Sequence, residues 1–157
     1  MNRQRGMVLL LALVLSLLLG LLAASALRDA LVETRLTGAM RDGLLAFAQA
    51  QAMLQAGVEQ LQQAQPVSCK ACPPPPRPHD LHGQWQRGKD GYFQLQNLGT
   101  TTRAAHMPNG ERVTLYRVTA VSQQLAARQV LEAVYAIPIA QPQAPQRILW
   151  RQRLRQD

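Results

Sequence analysis

The sequence predicts an α+β fold in which one long N-terminal helix packs against a small antiparallel sheet of three to four strands. The first observation behind this prediction is an uncharged, almost purely apolar run from Met7 to Leu27. The second is a helical spacing of apolar residues that continues to about Gln63 without a proline. The third is a set of alternating apolar and polar segments, separated by turn signals, in the C-terminal half.

The length of the chain indicates the number of domains, and its charge is unevenly distributed. A chain of 157 residues predicts one domain. The net charge of +8 is unevenly placed, because Arg3 and Arg5 precede the apolar run and four arginines fall in the last eleven positions. Residues 65–157 are expected to form a small β domain, which is only marginally stable without a disulfide or other cross-link, a partner or a docked helix.

The apolar run has the length of a membrane span. At about 1.5 Å rise per residue, residues 7–27 extend roughly 30 Å, the thickness of the hydrocarbon core of a bilayer. Arg3 and Arg5 on the short N-terminal flank predict a cytoplasmic N-terminus, with the domain on the other side of the membrane.

The helix is expected to continue through residues 28–64 as an amphipathic half that packs on the domain. The stripe from Met40 to Leu61 is predicted to cover the sheet, and Phe47→Ala to cost a few kcal/mol. The glycines at positions 38, 43 and 57 weaken a helix by about 1 kcal/mol each relative to alanine. The predicted helix-packing positions are Leu11, Leu27, Leu31, Met40, Leu44, Phe47, Leu54, Val58 and Leu61.

Three interpretations of the N-terminal segment compete. Ala24-Ser25-Ala26 resembles a signal-peptidase site, although the apolar run is longer than in most signal peptides. A bitopic anchor fits its length and charge. A type IV prepilin would have residues 1–6 as a leader, cleaved between Gly6 and Met7. The continuing helix favours the prepilin, because a cleaved signal has no reason to merge into an amphipathic helix.

Several segments near both ends of the chain form a recognisable set. They are Arg5-Gly6-Met7-Val8-Leu9-Leu10-Leu11-Ala12-Leu13, Ala26-Leu27-Arg28, Glu33-Thr34-Arg35-Leu36-Thr37-Gly38-Ala39-Met40-Arg41-Asp42, Leu45-Ala46-Phe47, Tyr116-Arg117-Val118-Thr119-Ala120, Val130-Leu131-Glu132-Ala133-Val134-Tyr135 and Arg147-Ile148-Leu149-Trp150-Arg151-Gln152. Together these segments resemble PilX-type minor pilins of the type IV pilus, whereas residues 64–112 show no such likeness.

This resemblance implies a pilin-like fold and a non-enzymatic role in pilus assembly. It implies cleavage after Gly6 by prepilin peptidase, methylation of Met7, residence in the bacterial inner membrane with a periplasmic domain, and transfer to an extracellular fibre. The implied partners are other minor pilins and the major pilin, and the implied role supports twitching motility and adhesion. A pseudopilin of a type II secretion system is a weaker alternative.

Two positions depart from the pilin pattern. Most pilins carry a glutamate at the fifth mature position, where its carboxylate meets the amino terminus of a neighbouring subunit; here that position is Leu11. A buried acid is costly in lipid unless it is paired, so Leu11 suits a tip or initiating subunit that needs no such partner. Arg28 lies where major pilins commonly have a helix-bending proline.

The two cysteines lie between the helix and a proline run at residues 73–76. Cys69 and Cys72 are predicted to form a short disulfide that pins the exit from the helix. One alternative is a zinc site that adds His79 and His82, although the ligand spacing is unusual. A redox-active CxxC pair is a weaker alternative, because the surrounding βαβ pattern is missing. The sequence predicts no cofactor and no resident metal. His106 and the scattered acidic residues, Glu132 among them, show no spacing that predicts catalysis.

The C-terminal half predicts the strands of the sheet. Residues 92–97, 113–121 and 129–137 alternate as strands, Asn109-Gly110 marks a turn, and residues 147–151 could add an edge strand. The terminal arginines allow two interpretations: charges that protect an edge strand, or a surface for DNA and other polyanions. Under the second, this would be a ligand-capturing pilin. The arginines concerned are Arg147, Arg151, Arg153 and Arg155.

Overall fold

The computed structural model describes residues 2–69, 71–140 and 144–155, and for residues 2–6 it describes the backbone alone. The chain divides into two compact units, Met1–Arg41 and Asp42–Asp157. The predicted α+β class is confirmed, because one long helix packs against an antiparallel sheet.

Helix α1 extends from Asn2 to Gln63. Its predicted end is confirmed, while its start lies before Met7, inside the expected leader. No break occurs at Ala24-Ser25-Ala26, where a cleaved signal would separate from the domain. The part of α1 that begins at Met7 is long and apolar enough to cross a membrane. In the first unit, the side chains of Leu11, Leu27, Leu31 and Met40 are all exposed.

Among the described residues, five antiparallel strands follow in the simplest order, each paired with the next along the chain. They are β1 (Gln86–Arg87), β2 (Gly91–Thr101), β3 (Val113–Ser122), β4 (Val130–Pro138) and β5 (Gln146–Arg153). The three main strands and the edge strand were predicted: the bounds of β3 and β4 agree within one residue, whereas β2 and β5 are longer than expected. The added strand β1 has only two residues, and a turn closed by a 2.9 Å hydrogen bond from Gly88 N to Gly91 O joins it to β2.

The core between α1 and the sheet begins later along the helix than the sequence predicted. Leu54, Val58 and Leu61 are buried as expected, but Met40 is 65% exposed, Leu44 73% and Phe47 37%. The face that contacts the sheet instead begins with alanines, because small side chains let the helix approach closely. The core comprises Ala46, Ala50, Met53, Leu54, Val58 and Leu61 of the helix, with Phe93, Tyr116, Val118, Ala120, Ala133, Tyr135 and Ile137 of the sheet.

Gly57 is the point of closest approach in this interface. A Cβ atom on Gly57 would lie 2.5 Å from Val118 Cγ1 and 3.3 Å from Phe93 Cδ2. At Gly38 and Gly43 an added Cβ would meet nothing within 4 Å. Gly57 is therefore a packing requirement of the fold, whereas the sequence suggested only a weak point in the helix.

The sheet is buried on both faces at its centre. Thr119 and Glu132 face away from α1, because they alternate with the core residues Val118 and Ala133, and yet each is only 1% exposed. Residues 66–69 and 71–81, here called the covering segment, begin along the edge of β2, where Ser68 forms a parallel bridge with Asn97 and Asn97 Nδ2 donates to Pro66 O at 3.0 Å. They then cross this second face, where Gln96 Nε2 donates to Pro73 O at 3.0 Å.

Candidate functional site

The most unusual polar feature of the domain is a buried carboxylate surrounded by arginines. Glu132 of β4 contacts Arg151 of β5, with 2.6 Å between Glu132 Oε1 and Arg151 Nη2. Arg117 of β3 and Arg153 of β5 lie 3.8 and 3.7 Å from the same carboxylate. Antiparallel pairing sets this geometry, because Glu132 is opposite Thr119 on one side and Arg151 on the other. Three guanidinium groups thus share one carboxylate.

The same arginines hold the covering segment by its carbonyl oxygens. Arg117 Nη1 donates to Cys72 O at 2.9 Å, and Arg153 Nη1 donates to Pro75 O at 2.9 Å. A proline has no N–H, so a proline-rich segment offers only acceptors, and arginine offers only donors. Gln96 Nε2 of β2 adds a third such bond, to Pro73 O at 3.0 Å. The polyproline run and the arginines of the sheet are therefore chemically matched.

Burial leaves positive charge on this face only partly compensated. Desolvation lowers the pKa of Arg117, and the nearby Glu132 carboxylate opposes that shift. Arg151 and Arg153 repel the Arg117 charge and act in the same direction as desolvation. Within the described part of the chain, Arg117 Nε and Arg128 Nε are buried without a hydrogen-bond partner, and so are the acceptor atoms Glu132 Oε2 and Thr119 Oγ1. The hydrogen bonding of this face is therefore incomplete on both the donor and the acceptor side.

A single 3₁₀ turn, Pro78–Asp80, ends the covering segment beside β5. His79 is buried there, and its carbonyl oxygen accepts a 2.7 Å hydrogen bond from Arg128 Nη1. Desolvation lowers the pKa of His79, and the charges of Arg155 and Arg153 lower it further. Asp80 accepts a 2.8 Å ion-paired hydrogen bond from Arg155 Nη2.

The four terminal arginines do not form one free cationic surface. Arg151 and Arg153 contact Glu132, and Arg155 contacts Asp80. Arg147 lies opposite Tyr135 on the other face of the sheet, where burial raises the pKa of the Tyr135 phenol and Arg147 opposes that rise. The predicted polyanion-contact residues are thus divided between two faces, and three of the four make ion pairs within the domain.

Cys69 and Cys72 lie as the disulfide prediction requires, with Cα atoms 5.9 Å apart and sulfur atoms within bonding distance. Both sulfur atoms contact the carbonyl oxygen of Asn97, which places the short loop against β2. The zinc alternative is not supported: among the described residues, no three His, Cys, Asp or Glu side chains are close enough to hold a metal ion. His79 and His82 do not join the two cysteines.

An apolar surface lies where α1 meets the edge strand. Phe47 and Trp150 form an edge-to-face pair with ring centroids 6.5 Å apart, and both rings are partly exposed. Leu44 and Leu45 of the helix are exposed beside Phe47 in the sequence. Phe47 therefore packs at the rim of the domain, which explains why it is not part of the core cluster.

The expected processing residues lie within α1. Met7 is exposed, and the side-chain surroundings of Gly6 lie outside the described residues. Sequence reasoning missed Glu132, because its partners are 15, 19 and 21 positions away and meet it only through strand pairing. The available signal was an acidic residue in the middle of an apolar strand. No family model, curated protein or solved structure matches this chain.

Proposed function

We propose that this chain is a PilX-type minor pilin that helps initiate or cap type IV pilus assembly at the fibre tip. The observation that supports it most is helix α1, which runs from Asn2 to Gln63 and joins an apolar half to a half that packs on the sheet. A helix of this kind can leave a bilayer and exchange lipid for neighbouring helices without exposing unpaired backbone groups.

The exposed apolar side chains of the first unit support the same proposal. From Met7 to Leu36 every large hydrophobic side chain on α1 is exposed within the chain itself. In water such a surface would be strongly unfavourable, so it requires lipid before assembly and other pilin helices afterwards. Leu11, in place of the glutamate of most pilins, fits a subunit at the tip. The proposed partners are other minor pilins and the major pilin.

The rival proposal, a pilin that captures DNA or another polyanion, is less favoured by the arginine contacts. Arg147 lies on the other face of the sheet from Arg151 and Arg153, so the four arginines cannot contact one phosphate backbone together. Arg153 and Arg155 also hold the covering segment, through Pro75 O and the Asp80 carboxylate. A role in assembly requires no continuous cationic surface.

Analysis of the N-terminus in the native membrane is the direct test. We expect the mature protein to begin at Met7 with a methylated amino group, and Gly6→Leu to leave the leader attached. The matched control is Gly20→Leu, where an added Cβ meets nothing within 4 Å, and normal processing is expected. A mature chain that begins at Met1 would show a simple anchor, and one that begins at Leu27 would show a signal peptide.

A deletion strain separates the two roles. Loss of surface pili and twitching motility, restored by the wild-type chain and not by Gly6→Leu, is the result expected for an assembly subunit. Normal pili that no longer bind DNA would favour the rival proposal.

A further inference from the structure

A recess on the second face of the sheet collects positive charge around a small cavity. It lies between the turn at the end of the covering segment and the end of β5, and its volume is about 340 Å³, within the range of small-ligand sites. It is lined by Arg77, Pro78, His79, Asp80, Arg153, Leu154 and Arg155.

The charge of the recess suits a doubly charged anion. Among the described residues that line it, three arginines and one aspartate have a summed formal charge of +2; Arg153 shares the Glu132 carboxylate with Arg117 and Arg151, and burial holds His79 towards its neutral form. Arg128 approaches the turn from the loop between β3 and β4 and adds a further cation nearby. Guanidinium groups bind oxyanions through paired, charge-assisted hydrogen bonds, and a tetrahedral oxyanion can accept from several of them at once.

Two of the arginines, Arg155 and Arg77, have guanidinium N–H groups that are accessible to a ligand. Arg155 contacts Asp80 through Nη2, and its side chain is 64% exposed, so its other N–H groups are accessible. Arg77 is exposed at the entrance to the turn, in a left-handed conformation with φ of 43°, and Leu81 at the exit has φ of 55°. Each such residue costs on the order of 1 kcal/mol, so the backbone is held in a strained shape around the recess.

We propose that this recess binds a phosphate group, either as inorganic phosphate or as a phosphate monoester. Arg77 and Arg155 donate to its oxygen atoms, Arg153 supplies positive charge at the base, and Asp80 competes with the anion for Arg155. The proposal does not depend on the role of the chain in pilus assembly.

Titration calorimetry on the full-length protein in a neutral detergent tests it, with inorganic phosphate and glycerol 3-phosphate as separate probes at constant ionic strength. We expect saturable binding, with Arg155→Gln and Arg77→Gln each lowering the affinity about tenfold, equivalent to ~1.4 kcal/mol. Arg103→Gln, which removes the same charge from the loop between β2 and β3, should leave the affinity unchanged. Stronger binding of glycerol 3-phosphate would identify a monoester as the ligand, and stronger binding of phosphate would identify the free ion.

Asp80→Asn provides a test of opposite sign. Removal of this carboxylate frees Arg155 and raises the net charge, so the affinity for phosphate should rise several-fold. Weaker binding by Asp80→Asn, no saturable binding tighter than about 10 mM, or equal loss in Arg103→Gln would each overturn the proposal.

The protonation of His79 gives an independent readout. The groups that face it are Arg153 of β5, Arg155 just after that strand, Asp80 from its own turn and Arg128 from the neighbouring loop. A bound anion offsets the repulsion from the arginines, so sulfate, which stays doubly charged across this range, should raise the His79 pKa in carbon-13 NMR spectra. An unchanged His79 titration at saturating sulfate would contradict binding in this recess.

Discussion

Replacement of Gly57 by alanine tests the packing of the helix against the sheet. An ordinary contact between two carbon atoms is about 3.5–4.0 Å, whereas the new Cβ would lie 2.5 Å from Val118 Cγ1. Val118 is fully buried in the central strand β3, so the helix and the sheet must separate locally by about 1 Å.

The magnitude follows from two opposing effects. Overpacking of a core of this kind costs about 1–3 kcal/mol, and the higher helix propensity of alanine returns about 1 kcal/mol. We therefore expect Gly57→Ala to lower the free energy of unfolding by about 1 kcal/mol. Gly43→Ala should raise it by up to about 1 kcal/mol, because its Cβ meets open space and only the propensity changes.

Guanidinium unfolding of the full-length protein in detergent, followed by the fluorescence of Trp85 and Trp150, measures both changes. A double-mutant cycle isolates the clash: Val118→Ala alone should cost about 2 kcal/mol, and about 1 kcal/mol less in the Gly57→Ala background. If Gly57→Ala stabilises the protein as much as Gly43→Ala does, the close approach inferred for this interface is wrong.

Three further predictions concern the core, the buried carboxylate and the buried histidine. In the same assay, Leu54→Ala should lower the free energy of unfolding by about 3 kcal/mol because Leu54 is 1% exposed. Leu44 is 73% exposed, so Leu44→Ala should change it by less than about 0.5 kcal/mol. Equal effects would contradict the helix face that the structure buries. Glu132→Gln should cost about 3 kcal/mol because it removes a buried carboxylate that is the counter-charge of Arg117 and Arg153, which are only 14% and 21% exposed. Glu59→Gln on the exposed helix surface should be nearly neutral. The pKa of His79 is lowered on folding, so the unfolded chain binds a proton on His79 more readily than the folded chain does. The free energy of unfolding should therefore fall as the pH decreases from about 6.5. A series of unfolding curves at different pH should show this slope in the wild type and a smaller slope in His79→Gln.

The sequence alone determined the helix and the positions of the main strands. A proline-free apolar pattern that ends before Pro66 can form only one long helix, and the end at Gln63 is confirmed. The turn at residues 109–110 separates strands whose alternation is local, and local patterns are retained in the fold. These features depend on residues within a few positions of each other.

Only the tertiary structure decided which helix face is buried and which charges meet. The long side chains of Met40, Leu44 and Phe47 suggested the contact face, but Ala46, Ala50 and Gly57 allow the closest approach and so define it. The covering segment buries the second face of the sheet, because its carbonyl oxygens find donors on strands β2, β3 and β5. Burial and charge pairing depend on which strands are neighbours, and that neighbourhood forms only when the sheet does.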